Sequence, residues 1–88
     1  MSDLLQMNKA QMLDLKRGFT KRADEVSALR SGLDGLLKGT VWDGRRAREF
    51  RSLWDSEFSP NLTRLETALR ENGQFIGKEL NNAKLAMD

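Results

Sequence analysis

The sequence predicts an all-α fold: an antiparallel helical hairpin that dimerises into a four-helix bundle. Two stretches with apolar residues at helical spacing lie on either side of one glycine-containing break near the middle of the chain. The composition agrees, because 39% hydrophobic residues, 32% charged residues and a single proline suit long amphipathic helices. Residues 1–88 are expected to form a single domain. Because a chain of this length buries only a modest hydrophobic core, a second copy or a similar hairpin is expected to pack against it.

The first helix is predicted over about residues 3–38. Its apolar residues recur at a seven-residue spacing, which is typical of a helix with one apolar seam for packing or dimerisation. They are Met12, Leu15, Phe19, Val26, Leu29 and Leu33. Asp3, with Gln6 three residues later, resembles a capping box at the start. Several glycines weaken the far end, so the helix is expected to end near Lys38.

A turn with a hydrophobic anchor is predicted over about residues 39–44. Glycine accepts backbone angles that other residues avoid, so Gly44 is expected to serve the geometry of the turn. The indole of Trp42 is expected to pack across the helix ends. The turn would then reverse the chain into a hairpin.

The second helix is predicted over about residues 45–84. Its apolar residues follow spacings of three, four or their sums, and the seam among them comprises Phe50, Trp54, Phe58, Leu62, Leu65 and Leu69. Pro60 lacks the amide that would bond the carbonyl of Ser56. We therefore expect a kink near Pro60, or a restart with Ser59 as the cap and Pro60 at the first helical position.

The composition argues against an enzyme. The chain has no cysteine and no histidine, which removes disulfides, thiolate chemistry, most zinc sites and the commonest general base. No spaced carboxylate pair, glycine-rich phosphate loop or nucleophile elbow is evident. We expect no catalytic residues, no cofactor, no metal and no small-molecule substrate.

The start of the sequence lacks a basic segment followed by an apolar one, so export by a Sec signal peptide is not expected. No stretch approaches the roughly 20 apolar residues of a membrane span. A peripheral membrane role is less favoured than a bundle, because the apolar seams are better used between helices.

Basic residues cluster at the start of the second helix: Arg45, Arg46, Arg48 and Arg51. Binding to a nucleic acid must therefore be weighed. Against it, the net charge is only +2, Glu49 and Asp55 lie four residues from arginines, and no aromatic stacking platform is evident. A solvated or partner-facing helix surface is favoured.

Taken together, these residues resemble the small Trp-x-Gly (ESAT-like) proteins exported by type VII (ESX) secretion systems of Gram-positive bacteria. The resemblance covers essentially the whole chain. It rests on the length, on Trp42-x-Gly44 at the centre, on Phe50 and Trp54, and on the region from Pro60 to Leu69. It implies a hairpin made in the cytoplasm and exported folded, as a homodimer or heterodimer, after recognition by the membrane-associated secretion ATPase.

The C-terminal half departs from this family in one respect. Family members often carry a C-terminal Tyr-x-x-x-Asp/Glu export signal, and this chain has no tyrosine. The nearest match runs from Phe75 to Glu79, where the ring is kept and the hydroxyl is lost. Either this segment serves as a weak signal, or Phe75 edges the seam, Glu79 is a solvated charge and a partner supplies the signal.

Three functions therefore remain open. The first is a secreted Trp-x-Gly dimer that acts as effector, carrier or partner in type VII secretion. The second is a cytosolic coiled-coil adaptor, and the third, less favoured, is a basic hairpin that binds nucleic acid. Solution mass, salt-dependent retention on DNA and dependence of export on the ATPase separate them.

Overall fold

The computed structural model describes the backbone of residues 7–87 and the side chains of residues 7–83. Within that range the chain is helical, with no strand: α1 (Lys9–Lys38), α2 (Arg45–Leu53), a π-helical turn (Trp54–Phe58) and α3 (Ser59–Met87). The last three run on without a loop and form the second helix of a hairpin. The predicted all-α fold with two helices is confirmed.

The first helix begins later than the sequence predicts. Asn8 has an extended backbone, and its side-chain oxygen accepts a hydrogen bond from the amide of Gln11 at 2.9 Å. An asparagine in this position satisfies one of the free amides at a helix start, so α1 begins at Lys9 and not near residue 3. The capping box of Asp3 and Gln6 lies outside the described residues.

The predicted interruption near Pro60 takes a different form from a restart. Ser59 has helical angles (φ −63°, ψ −46°), and its amide donates to the carbonyl of Trp54 five residues earlier. Such a bond widens the turn directly before Pro60, whose ring would crowd the carbonyl of Ser56 in a regular α-helix. The chain therefore accommodates the proline with a π turn, and Ser59 is not a cap.

The two helices pack along their length in antiparallel order. The pairs in contact are Lys16 with Gly77, Thr20 with Gly73, Asp24 with Arg70 and Asp34 with Trp54. The result is a rod 64 Å long and 20 by 16 Å across. At about 1.5 Å per residue, the second helix alone spans roughly that length.

The residues of α1 that face the second helix form an inner seam with alternating spacings of four and three. It comprises Lys16, Thr20, Ala23, Ser27, Arg30, Asp34 and Leu37. Most of these side chains are small or polar, and Ala23 is fully buried. Opposite them Gly73 is buried, with Phe19 and Thr20 so near that an added Cβ would lie 3.4–3.5 Å from their side chains. Small residues on both sides let the backbones approach closely.

The core of the hairpin is correspondingly small. Among the described residues the buried apolar side chains are Ala23, Ala47, Trp54, Ile76 and Leu80. Trp54 is by far the largest of them and is only 7% exposed. A small rod with so little buried apolar surface has little hydrophobic stabilisation of its own.

Candidate functional site

The apolar seam predicted on α1 is not the seam that packs against the second helix. From Leu15 onwards, each of its residues comes one position before an inner-seam residue, and one residue turns a helix by about 100°. Leu15 precedes Lys16, and Leu33 precedes Asp34. As a result Leu15, Leu29 and Leu33 stay between 40% and 52% exposed. Met12, Phe19 and Val26 are half-buried.

The second helix adds apolar residues to the same face of the hairpin. Leu69 lines a shallow groove together with Leu15, Gly18 and Phe19 of α1. Phe58 and Leu65 are nearly half-exposed, and Leu62 is half-buried. We call this face the apolar stripe: Leu15, Phe19, Val26, Leu29, Leu33, Phe58, Leu62, Leu65 and Leu69. Trp54, predicted for the same seam, points into the hairpin instead.

The turn between the helices depends on the backbone of Gly44. Its φ of 105° and ψ of 178° lie in a region that is essentially restricted to glycine. The space around it is open, so the constraint is conformational and not steric. The glycine that follows Trp42 by two residues is therefore required by the geometry of the turn.

Alanine substitutions at two glycines should have opposite effects. Gly44→Ala is expected to destabilise the fold by about 1–3 kcal/mol, because alanine must adopt a strained backbone there. Gly35→Ala, in an exposed position of α1 with open space around it, is expected to stabilise it by about 0.5–1 kcal/mol. Urea unfolding at one protomer concentration measures both, and equal effects would contradict the strained geometry.

Trp42 is anchored less deeply than the sequence predicts. The residue is 41% exposed, and its ring lies against Phe50 with the centroids 5.8 Å apart. Phe50 in turn contacts Phe58 at 6.4 Å. Tilted pairs at these distances attract one another. The three rings form an aromatic row that links the turn to the apolar stripe and leaves part of the indole open to solvent.

The other tryptophan holds the helices together near the turn. The indole nitrogen of Trp54 donates to Asp34 Oδ1 at 3.1 Å, and Lys38 Nζ lies 2.8 Å from Asp34 Oδ2. Hydrogen bonds from Lys38 and Trp54 to the carboxylate hold the pKa of Asp34 below its usual range. Asp34 thus joins the end of α1 to the buried indole.

This network predicts a loss of stability in acid. A carboxyl whose pKa is lowered in the folded state stabilises the fold above its unfolded pKa, and that contribution is lost as the pH falls through the folded pKa. Between about pH 5 and pH 2, the melting temperature of the protein should therefore fall more than that of Asp34→Asn, which keeps an acceptor for Trp54. Glu71→Gln, on an exposed position of α3, is the control. Parallel curves for all three proteins would refute the assignment to Asp34.

Arg51 braces the turn from α2. Its Nη1 donates to the carbonyl of Trp42 at 2.7 Å and its Nη2 to that of Thr40 at 3.0 Å. A longer contact of 3.5 Å joins Nη2 to the carbonyl of Leu37, in the last turn of α1. No signal in the sequence distinguishes this arginine from its neighbours, so sequence analysis placed it only in the basic cluster.

The remaining arginines of that cluster lie on the surface. Arg45 Nε lies 3.6 Å from Glu49, in an exposed pair that contributes little to stability. Arg46 and Arg48 are exposed. With Arg51 turned inward, the cluster offers fewer free cations for a phosphate backbone than its sequence implies.

The proposed C-terminal signal lies at the other end of the rod from the turn. Phe75 is exposed and Glu79 is half-buried. Because they are four residues apart in α3, they share one side of the helix. The structure does not bring them near Trp42, so within one hairpin the two elements form separate surfaces.

The helices of residues 7–87 include none that is both long and apolar enough to cross a membrane. Comparisons with protein-family models, with curated proteins and with solved structures find no match for this chain. Functional inference therefore depends on two features of its own geometry, which are the apolar stripe and the braced turn.

Proposed function

We propose that two copies of the chain associate through the apolar stripe into a four-helix bundle. The half-exposed leucines at helical spacing support this association, since they have no use inside the hairpin and would meet the same residues of a second copy. The small core supports it as well, because a bundle adds the buried apolar surface that one hairpin lacks. A second, similar hairpin would fit the stripe in the same way and would give a heterodimer.

We further propose that this dimer is a non-enzymatic substrate of a type VII (ESX) secretion system. It is recognised by the membrane-associated ATPase and is exported in the folded state. One observation carries the proposal: Trp42 stands at the closed end of the hairpin, with its indole partly exposed and Gly44 in a glycine-only conformation. A motif that served stability alone would gain more from a buried indole. The exported dimer acts as effector, carrier or partner in that pathway.

Phe75 and Glu79 are a second element for this recognition. Their shared side of α3 supports a role as a weak tail signal, with the exposed ring taking the place of tyrosine. Since they lie far along the rod from Trp42, the turn of one copy and the tail segment of another would supply the two parts of a signal in a dimer.

Export from a Gram-positive host that has a type VII system tests the proposal. Wild-type protein with a small tag should reach the medium only when the secretion ATPase is present. Trp42→Ala should be retained in the cell, while Val41→Ala, a fully solvated neighbour at 94% exposure, should be exported. A cytoplasmic marker controls for lysis. Retention of the wild type in both strains would contradict export and favour a cytosolic adaptor.

A further inference from the structure

The turn that carries Trp42 leaves several backbone carbonyls without helical partners. The last carbonyls of a helix lack the amide that the next turn would supply, and the amide of Thr40 reaches the carbonyl of Leu37 only at 3.4 Å. Leu37 lies in the last turn of α1, while Thr40 and Trp42 lie in the loop that follows. All three point towards one guanidinium group, that of Arg51.

An arginine suits this position better than any other cation. Its planar group presents five donors in a fixed fork, whereas lysine presents a single compact ammonium. Here Nη1 and Nη2 serve different carbonyls, at 2.7 Å for Trp42 and 3.0 Å for Thr40. A lysine ammonium has three donors on one nitrogen atom, so it could serve both carbonyls only if both lay within hydrogen-bond distance of that single atom. Arg51 itself is half-buried, and its contact with the carbonyl of Leu37 is partly shielded from solvent.

The other contacts of the turn do not fix the backbone of Trp42. The hydroxyl of Thr40 bonds back to Leu36, within the end of α1. Phe50 meets the indole through its ring and leaves the peptide group free. Among the described residues, the hydrogen bond to the carbonyl of Trp42 comes from Arg51. The conformation of the motif thus depends on a side chain nine residues further along the chain.

We infer that Arg51 is a positioning residue for the Trp42-x-Gly44 turn. It holds the backbone of Trp42 in one conformation, so that a partner that binds the exposed part of the indole meets a surface already formed. Preorganisation of this kind raises affinity because less conformational entropy is lost on binding. This inference rests on the proposed function for the identity of the partner that recognises the turn. It rests on the geometry of Arg51 for the way in which the backbone of the turn is held in place.

The first measurement tests whether Arg51 restricts the motion of the turn. ¹⁵N relaxation gives order parameters for the Asp43 amide, which shares a peptide plane with the carbonyl of Trp42, and for the indole N–H of Trp42, which is resolved from that of Trp54 by assignment. In the wild type the Asp43 amide should be rigid, at about 0.85, and in Arg51→Lys it should fall below about 0.6. Arg48→Lys, an exposed arginine on the same helix, should match the wild type.

The second measurement separates positioning from general stability. Arg51→Lys should lower ATPase-dependent export about tenfold or more at a temperature well below its melting temperature. Ala23→Gly removes a fully buried methyl group in the middle of α1, away from both the turn and the segment from Phe75 to Glu79. If Arg51 acted only through stability, Ala23→Gly would lower export in proportion to its own loss of melting temperature. We expect it to be exported normally.

The outcomes distinguish this inference from the proposal on which it rests. Unchanged order parameters in Arg51→Lys would overturn the inference whatever the export result. Lower order with wild-type export would also overturn it, because the conformation would then be irrelevant to recognition. If the wild type is not exported, the proposed function fails, and the order parameters alone decide whether Arg51 holds the turn.

Discussion

Replacing Leu29 by glutamate is expected to leave a folded hairpin that no longer dimerises. Leu29 lies about two thirds of the way along α1, in the apolar stripe, and is half-exposed in the single hairpin, so the hairpin tolerates a carboxylate there. In a symmetric bundle both copies would place that carboxylate in an apolar interface. A cost of about 3 kcal/mol or more corresponds to a weakening of dimerisation by a hundredfold or more.

Sedimentation equilibrium over a range of concentrations measures this change, and circular dichroism checks that the variant stays helical. Ala28→Glu is the matched control, since it adds the same charge at the adjacent exposed position outside the stripe. It should dimerise like the wild type. A wild type that stays monomeric, or a Leu29→Glu variant that dimerises normally, would show that the stripe is not the interface.

Trp54→Ala is expected to cause the largest loss of stability of any truncation to alanine among the described side chains. It removes the largest buried side chain among the described residues and takes the indole donor away from Asp34. Truncation of a buried tryptophan costs about 3–5 kcal/mol, which is comparable to the whole stability of a small domain, of the order of 5 kcal/mol. A large fraction of the variant should therefore be unfolded in dilute buffer.

Urea unfolding at a fixed protomer concentration measures this loss, because association contributes to the apparent stability. Trp54→Phe is the control: it keeps most of the ring and loses the hydrogen bond, so its cost should be nearer 1–2 kcal/mol. If Trp54→Ala lost less than about 1 kcal/mol, relaxation of the hairpin around the site would have to fill the cavity.

The position of the helices could be predicted from the spacing of apolar residues, but their packing could not. Leu15, Leu29 and Leu33 mark an apolar face correctly, and the pattern indicates a helix because any buried face produces it. It does not specify what buries the face. The two helices pack along the face that lies one residue later in α1. Side chains on that face, such as Ala23, suit close packing because they are small, and a hydrophobicity scale does not detect small size.

The turn shows the same limit of prediction from sequence: backbone geometry can be predicted, but contacts between distant residues cannot. The sequence predicts that Trp42 anchors the turn and that Gly44 serves its backbone. The second expectation follows from the chemistry of glycine, and the φ of Gly44 agrees with it. The placement of Trp42 depends instead on Phe50 and Arg51, which reach it from the next helix at separations of eight and nine residues. Nothing local to the motif encodes those contacts.

The π turn also fixes how the two halves of the second helix are rotated relative to each other. In a regular α-helix, Phe50 and Phe58 would be offset by about 80° around the axis, whereas the wider turn brings their rings to 6.4 Å. If the same residues of Trp54–Phe58 formed a regular α-helix, everything beyond them would be rotated by about 100°. The aromatic row and the leucines of α3 would then face different directions, so the wider turn sets the angular phase on which a continuous binding face depends.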